Sequence, residues 1–214
     1  MPNIGDSERK TQNRVVKFFR DKLHYTYLGN LHDSENRNIM QERLHTWLLK
    51  QGYSEKLASN AVNTLVKTAT NLQQGLYHAN KEVYSLLKYG AKVKESVEQS
   101  PKTVYFIDFE DVSKNDFYIA EEVTIVSNNT KRPDIVLYVN GIALAVIELK
   151  KSSVSVSNGI RQNLTNQKAN FIEDFFTTIQ FCMAGNDSEG LLLQWSVGGI
   201  RWGLFAWPVN IIVL

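Results

Sequence analysis

Residues 132 to 152 read Arg132-Pro133-Asp134-Ile135-Val136-Leu137-Tyr138-Val139-Asn140-Gly141-Ile142-Ala143-Leu144-Ala145-Val146-Ile147-Glu148-Leu149-Lys150-Lys151-Ser152. Two apolar runs rich in β-formers, 135–139 and 142–147, flank Asn140-Gly141, the dipeptide best suited to a tight hairpin turn. Asp134 stands at the mouth of the first run. Glu148 and Lys150 close the second, two residues apart and so on one face of a strand. A hairpin brings its open ends together, which gathers Asp134, Glu148 and Lys150. Two carboxylates and an ammonium there suit Mg²⁺, which takes hard oxygen ligands, often only one or two of them carboxylates. Parity adds a condition. With a strict two-residue turn, Val139 faces Ile142 and Asp134 faces Ile147, leaving Glu148 on the opposite face. A bulge or odd-length connection is therefore expected between the two acids.

Taken singly, a Pro-Asp and a later Glu-x-Lys are common, and charges at a strand end are ordinarily just solvated. The context weighs the other way. Glu148 and Lys150 end a long uncharged run that reads as a strand buried on both faces, where charges are rarely placed without partners.

These residues, from Arg132-Pro133-Asp134 through Asn140-Gly141 to Glu148-Leu149-Lys150, resemble the PD-(D/E)xK nuclease motif. More narrowly, they resemble the form in the N-terminal endonuclease domain of the restriction (HsdR) subunit of type I restriction-modification enzymes. Asn115-Asp116-Phe117 with Glu121-Glu122-Val123-Thr124 is similar to the family's approach to the motif, and the stretch from Phe181 to Asn186 to the strand and turn after it. The resemblance covers about residues 8 to 190. It implies an α/β fold with a mixed central sheet flanked by helices, and Mg²⁺ (Mn²⁺ substituting) on Asp134, Glu148 and the Leu149 backbone carbonyl. It also implies a glutamine facing the site from the following helix. The family's Gln-x-x-x-Tyr is matched in full by neither Gln162, with Asn166 four on, nor Gln167, with Phe171 four on. Spacing to Gln180 and Phe181 favours Gln162. An acidic residue on the first helix, here Glu8, is a weak further candidate, and a favourable charge in a helix's first turn explains it better.

At 214 residues, 43% hydrophobic and 21% charged, the chain can bury a proper core. A net charge of +2 is too small to announce a nucleic-acid partner, so a DNA-binding face must come from local clustering such as Lys131-Arg132 and Lys150-Lys151. The single cysteine, Cys182, lies in an apolar run and reads as a small buried hydrophobe. With an N-terminus unlike a signal peptide, it suggests a reducing, cytoplasmic setting. His24, His32, His45 and His78 lack the paired spacing of a zinc site.

Along the chain, helical stripes are expected over 7–23, 36–50, 54–69 and 71–88, with a short β-like run at 25–28. Gly90 marks a switch to β structure, with strands expected over 91–97, 103–109 and 117–126. After the hairpin come a polar loop at 152–158, a helix at 159–170, a buried strand at 177–184 and a turn to Gly190. The domain plan is a mainly helical part at 1–90, a nuclease core at 91–190 and an apolar tail at 191–214. That tail holds Trp195, Trp202 and Trp207, and Gly198-Gly199, Arg201 and Asn210 interrupt it too often for a membrane span.

Three functions follow as expectations. The first is a Mg²⁺-dependent endonuclease on double-stranded DNA, with Asp134 and Glu148 as metal ligands and Lys150 and Gln162 acting on water or phosphate. By the resemblance, site recognition would belong to the specificity subunit, alongside the methylation subunits. No Gly-x-x-x-x-Gly-Lys occurs, so ATP is expected only for a motor-bearing subunit. The second is a catalytically silent assembly module. The third is a solitary repair-type nuclease of the same fold.

Overall fold

The computed structural model describes residues 8–194, 196–197 and 200–201. The hairpin read from the sequence is its centre. Ile135–Val139 (β7) and Ile142–Leu149 (β8) pair antiparallel around Asn140 and Gly141, whose φ angles of 53° and 88° place both turn residues in the left-handed region. Gly141 is needed for space as well, because a Cβ there would stand 2.9 Å from the Met40 carbonyl. Asn140 is buried and tied on three sides. Its Nδ2 donates to the Phe106 carbonyl at 2.9 Å and to Asn115 Oδ1 at 2.8 Å, and its Oδ1 accepts from the Asp116 N–H at 2.7 Å.

The expected irregularity is present. Ile135, Val136 and Leu137 face Ile147, Val146 and Ala145, whereas Tyr138 and Val139 face Ala143 and Ile142. Leu144 is the extra residue of a β-bulge, and its carbonyl instead accepts from the Gln180 N–H at 2.8 Å. The packing shows the same slip. Leu144 and Ala145, consecutive in sequence, both enter the core layer that holds Ile135, Leu137 and Val139. Val146 then joins Val136 and Tyr138 on the other face. Continuing the register sets Glu148 opposite Asp134 on that second face.

Around the hairpin lies a six-stranded sheet in the order β1-β4-β7-β8-β9-β10, with β1 at Thr26–Asn30, β4 at Phe117–Glu121, β9 at Phe181–Asn186 and β10 at Gly190–Gln194. The β1–β4 and β8–β9 pairs are parallel and the rest antiparallel, so the sheet is mixed. Parallel neighbours need long crossovers. The first is supplied by α2 (Gln41–Lys50), α3 (Glu55–Ala69) and α4 (Leu76–Tyr89), the second by α5 (Val156–Asn166). One core layer packs α1 (Glu8–Asp21), α2, α3 and most of α4 against the sheet. The other packs Leu76, Phe175, Phe176 and Ile179 against it.

Several boundaries depart from the sequence expectations, each for a local reason. The residues expected as strands at 91–97 and 103–109 form only a short separate hairpin, Ala91–Val93 (β2) with Lys102–Val104 (β3), because Phe106 and Ile107 turn inward to bury under the Asn140 turn. The expected strand at 117–126 breaks after Glu121, where Glu122 adopts a φ of +48°, and resumes as a second short hairpin of Ile125–Val126 (β5) with Thr130–Lys131 (β6). The short β-like run expected at 25–28 within the mainly helical first ninety residues is β1, an edge strand of the main sheet. The helix expected at 159–170 begins earlier, capped by Ser155, whose hydroxyl accepts from the Ser157 N–H, and by Glu189, whose Oε1 accepts from the Val156 N–H at 2.9 Å. Of the expected tail, Gly190–Gln194 is the second edge strand, and 196–197 pair with 200–201. Residues 195, 198–199 and 202–214, with all three tail tryptophans, lie outside the described residues. Among the described residues no helix is long and apolar enough to cross a membrane.

Candidate active site

The open end of the hairpin collects the candidate side chains. Asp134 lies one residue before β7, and its Oδ2 accepts the Leu149 N–H at 2.6 Å. The Leu149 amide thus engages the aspartate directly, while the Leu149 carbonyl is the group expected from the sequence as an extra metal ligand. Glu148 is wholly buried. Its Oε2 accepts from Gln162 Nε2 at 2.7 Å and lies 3.8 Å from Lys150 Nζ. Its Oε1 is buried with no hydrogen-bond partner. Lys150 also reaches Glu8 Oε1 at 4.0 Å, so α1 does present an acid towards the site.

The helix after the hairpin sits close by design of sequence. A Cβ on Gly159 would come within 2.8 Å of the Ala184 Cβ and 3.5 Å of the Glu148 Cβ. A glycine there lets α5 lie almost on the strands, and one turn later Gln162 is level with Glu148. Gln167 turns elsewhere, its amide 3.6 Å from the Cys182 sulfur in the core. Burial also pushes the Cys182 thiol up to about 12, which makes it inert.

The electrostatics are those of a crowded acidic pocket. Burial pushes the Asp134 carboxyl up to about 6, against the pull of the Leu149 N–H and Lys150 and with the help of Glu8 and Glu122. Glu148 is driven well above the usual carboxylate range, first by burial and then by the neighbouring Asp134 charge, with Lys150 opposing. A carboxylate oxygen buried without a partner is costly, and the nearest cation here serves two acids at 3.8 and 4.0 Å. One divalent ion at the mouth of this pocket would relieve both defects. No group of three or more His, Cys, Asp or Glu side chains forms a ready cage among the described residues.

Sequence reasoning missed part of the surroundings. Gln12 of α1 donates to Glu121 at 2.9 Å, and Arg9 bridges to the same carboxylate at 2.9 Å. Arg132 lies 3.6 Å from Glu122. The signal for Gln12 was a polar residue four before Val16 on an otherwise apolar stripe. It was visible but not decisive.

A mixed six-stranded sheet flanked by helices, with acids and a lysine gathered at the end of its central hairpin, defines an α/β domain of a kind consistent with a nuclease. Comparison with known proteins narrows this. The chain belongs to the family described as the type I restriction enzyme R protein N terminus, whose model matches residues 5–194. It is similar to a Methanocaldococcus jannaschii protein that carries the name of the type I restriction enzyme MjaIXP endonuclease subunit, at 28% identity over 65% of this chain and 14% of that one. It is also similar to the type I restriction enzyme HindI endonuclease subunit of Haemophilus influenzae, at 36% identity over 44% of this chain and 10% of that one. The match thus spans about a seventh or less of those relatives' length.

Proposed function

We propose that this domain is a Mg²⁺-dependent nuclease that hydrolyses phosphodiester bonds of double-stranded DNA as part of a type I restriction subunit. The observation that carries the reading is the buried, unpartnered Oε1 of Glu148 beside Asp134 and Lys150. Asp134 and Glu148 would hold the ion, which when bound supplies a polarised phosphate and a water of lowered pKa. The rest belongs to the chain. Lys150, its ammonium 3.8 Å from Glu148 and only 15% exposed, is placed to hold a non-bridging phosphate oxygen and stabilise charge growing there. Gln162 fixes the Glu148 carboxylate with one amide hydrogen at 2.7 Å, and its second amide hydrogen and carbonyl oxygen would meet water or phosphate. The Leu149 N–H orients Asp134 in the same way. Lys151 and Arg132, exposed beside the hairpin ends, would track the DNA backbone.

On this reading selection of a DNA site belongs to a specificity subunit, with methylation subunits as further partners, and ATP use to a motor. The test is a titration of the full chain with Mg²⁺ and Mn²⁺, followed by melting temperature and duplex nicking, alone and with the partner subunits. The ions should raise the melting temperature of wild type but not of Glu148→Gln. Lys150→Ala should still bind the ion yet lose about two orders of magnitude or more in cleavage. Ion binding without cleavage by any assembled complex would leave an assembly module. Cleavage by the isolated chain on plain duplex would point to a solitary nuclease.

A further inference from the structure

Asp134 stands outside the strand ladder, so its backbone must be held by something other than sheet pairing. Two groups hold its carbonyl. The Glu122 N–H donates to it at 2.9 Å, and Gln12 Nε2 lies 3.3 Å from it. Gln12 is buried on α1, and the same nitrogen is 2.9 Å from Glu121 Oε2 and 3.3 Å from Glu122 Oε1. Two amide hydrogens thus serve three oxygens. Every one of those neighbours is an acceptor, so the amide can face them only with its nitrogen. Behind it, Glu121 is itself fixed by Arg9 at 2.9 Å and the Tyr27 hydroxyl at 2.6 Å. The chain of contacts runs from β1 through Glu121 and Gln12 to the backbone of Asp134.

We infer that Gln12 is a positioning residue for Asp134: its amide lets α1 set where the Asp134 backbone sits, and hence where its carboxylate points. The consequence at the site is the 2.6 Å bond from the Leu149 N–H to Asp134 Oδ2, which forms only when that backbone is in place. The functional meaning rests on the reading of Asp134 as a metal ligand, but the geometry exists without any ion. The competing role is purely structural, with Gln12 tying α1 to β4 through Glu121 and nothing more.

A donor–acceptor swap separates the two. In Gln12→Leu the amide is gone. In Gln12→Glu combined with Glu121→Gln, the amide at 121 donates to the carboxylate at 12 and the tie between α1 and β4 returns, but the Asp134 carbonyl then faces an acceptor. Amide exchange of the full chain in EDTA, followed by NMR, reads the Leu149 N–H directly. Gln12→Leu should speed Leu149 exchange on the order of fivefold to tenfold, the loss expected for one hydrogen bond, while Ile147 in the same strand is unchanged. The swapped variant should recover part of the melting temperature lost in Gln12→Leu, the remainder going to the facing Glu122 carboxylate and the weakened tie to Arg9, but not Leu149 protection, and its Mn²⁺ affinity should stay weaker than wild type. Recovery of Leu149 protection together with melting temperature would overturn the proposal, as would unchanged Leu149 exchange in Gln12→Leu. If Gln12→Leu does not fold, the swapped variant decides alone. Failure of wild type to bind Mn²⁺ would sink the nuclease reading, while the EDTA exchange result would still judge Gln12.

Discussion

At the scale of single residues, Asp134 and Glu148 are placed where their charged forms are unwelcome. The Asp134 carboxyl sits at about 6 against an ordinary 3.8, so between those values the folded chain binds more protons than the unfolded one. Stability linked to this group is complete below about pH 4 and is lost as pH rises through about 6. Two units correspond to about 3 kcal/mol, and Glu148 shifts in the same direction. Removing the charge should then stabilise the metal-free protein at high pH. In EDTA at pH 8, urea unfolding should show Asp134→Asn more stable than wild type by about 1–3 kcal/mol, the lower end allowing for a weaker bond to the Leu149 N–H, and Glu148→Gln more stable as well. At pH 4 the Asp134→Asn advantage should largely vanish. A loss of stability in both variants at pH 8 would mean the pocket already neutralises its acids, and the case for a divalent ion would lose its physical basis. Asp134, Glu148 and Lys150 could be picked out in the sequence because they interrupt apolar runs. Glu121 and Glu122 were legible only as part of the approach to the motif and Gln12 only as a polar break in an apolar stripe, because their contacts join residues more than a hundred apart along the chain.

At the scale of elements, the hairpin was legible to the residue. Asn140-Gly141 fixed the turn, and side-chain parity required a bulge that the structure places at Leu144. Parity could say that one extra residue was needed but not where, since Leu144 is chosen by the Gln180 N–H that takes its carbonyl. The strand expected at 103–109 was misread because a β-rich apolar pattern cannot tell a strand from a segment that dives under a turn. Helix α5 was expected at 159–170 and lies at Val156–Asn166, its start set by Ser155 and by Glu189 arriving from the turn between β9 and β10. Gly159 looked like a helix start and is in fact its contact point. In a free helix, alanine there would gain about 0.5–1 kcal/mol. Against β9 the new methyl would meet the Ala184 Cβ at 2.8 Å, an overpacking that costs about 1–3 kcal/mol. Gly159→Ala should therefore destabilise the domain by about 1–2 kcal/mol and weaken Mn²⁺ binding by shifting Gln162 from Glu148. Adding Ala184→Gly should restore the Mn²⁺ affinity. Calorimetric titration and urea melts check both, and a Gly159→Ala variant as stable as wild type would show that α5 does not seat this closely.

At the scale of the whole molecule, one hairpin carries stability at its turn and the proposed chemistry at its mouth. The turn end is heavily bonded, with Asn140 linking Phe106, Asn115 and Asp116. The mouth holds an unpartnered carboxylate oxygen and raised acids. Five residues of β7 separate them, roughly 17 Å at about 3.3 Å per residue. Sites more than about 7–10 Å apart with no shared partners usually act additively, within about 0.5 kcal/mol. Asn140→Ala loses three buried hydrogen bonds and forces alanine to a φ of +53°, so it should cost about 2–4 kcal/mol. Glu148→Gln should do the reverse. In a double-mutant cycle by urea unfolding in EDTA at pH 8, the two effects should sum, and the Mn²⁺ affinity of Asn140→Ala should match wild type. A coupling energy above about 1 kcal/mol would show that strain at the mouth is transmitted along the paired strands to the turn, and the hairpin would then have to be treated as a single strained unit rather than a stable base carrying a strained site.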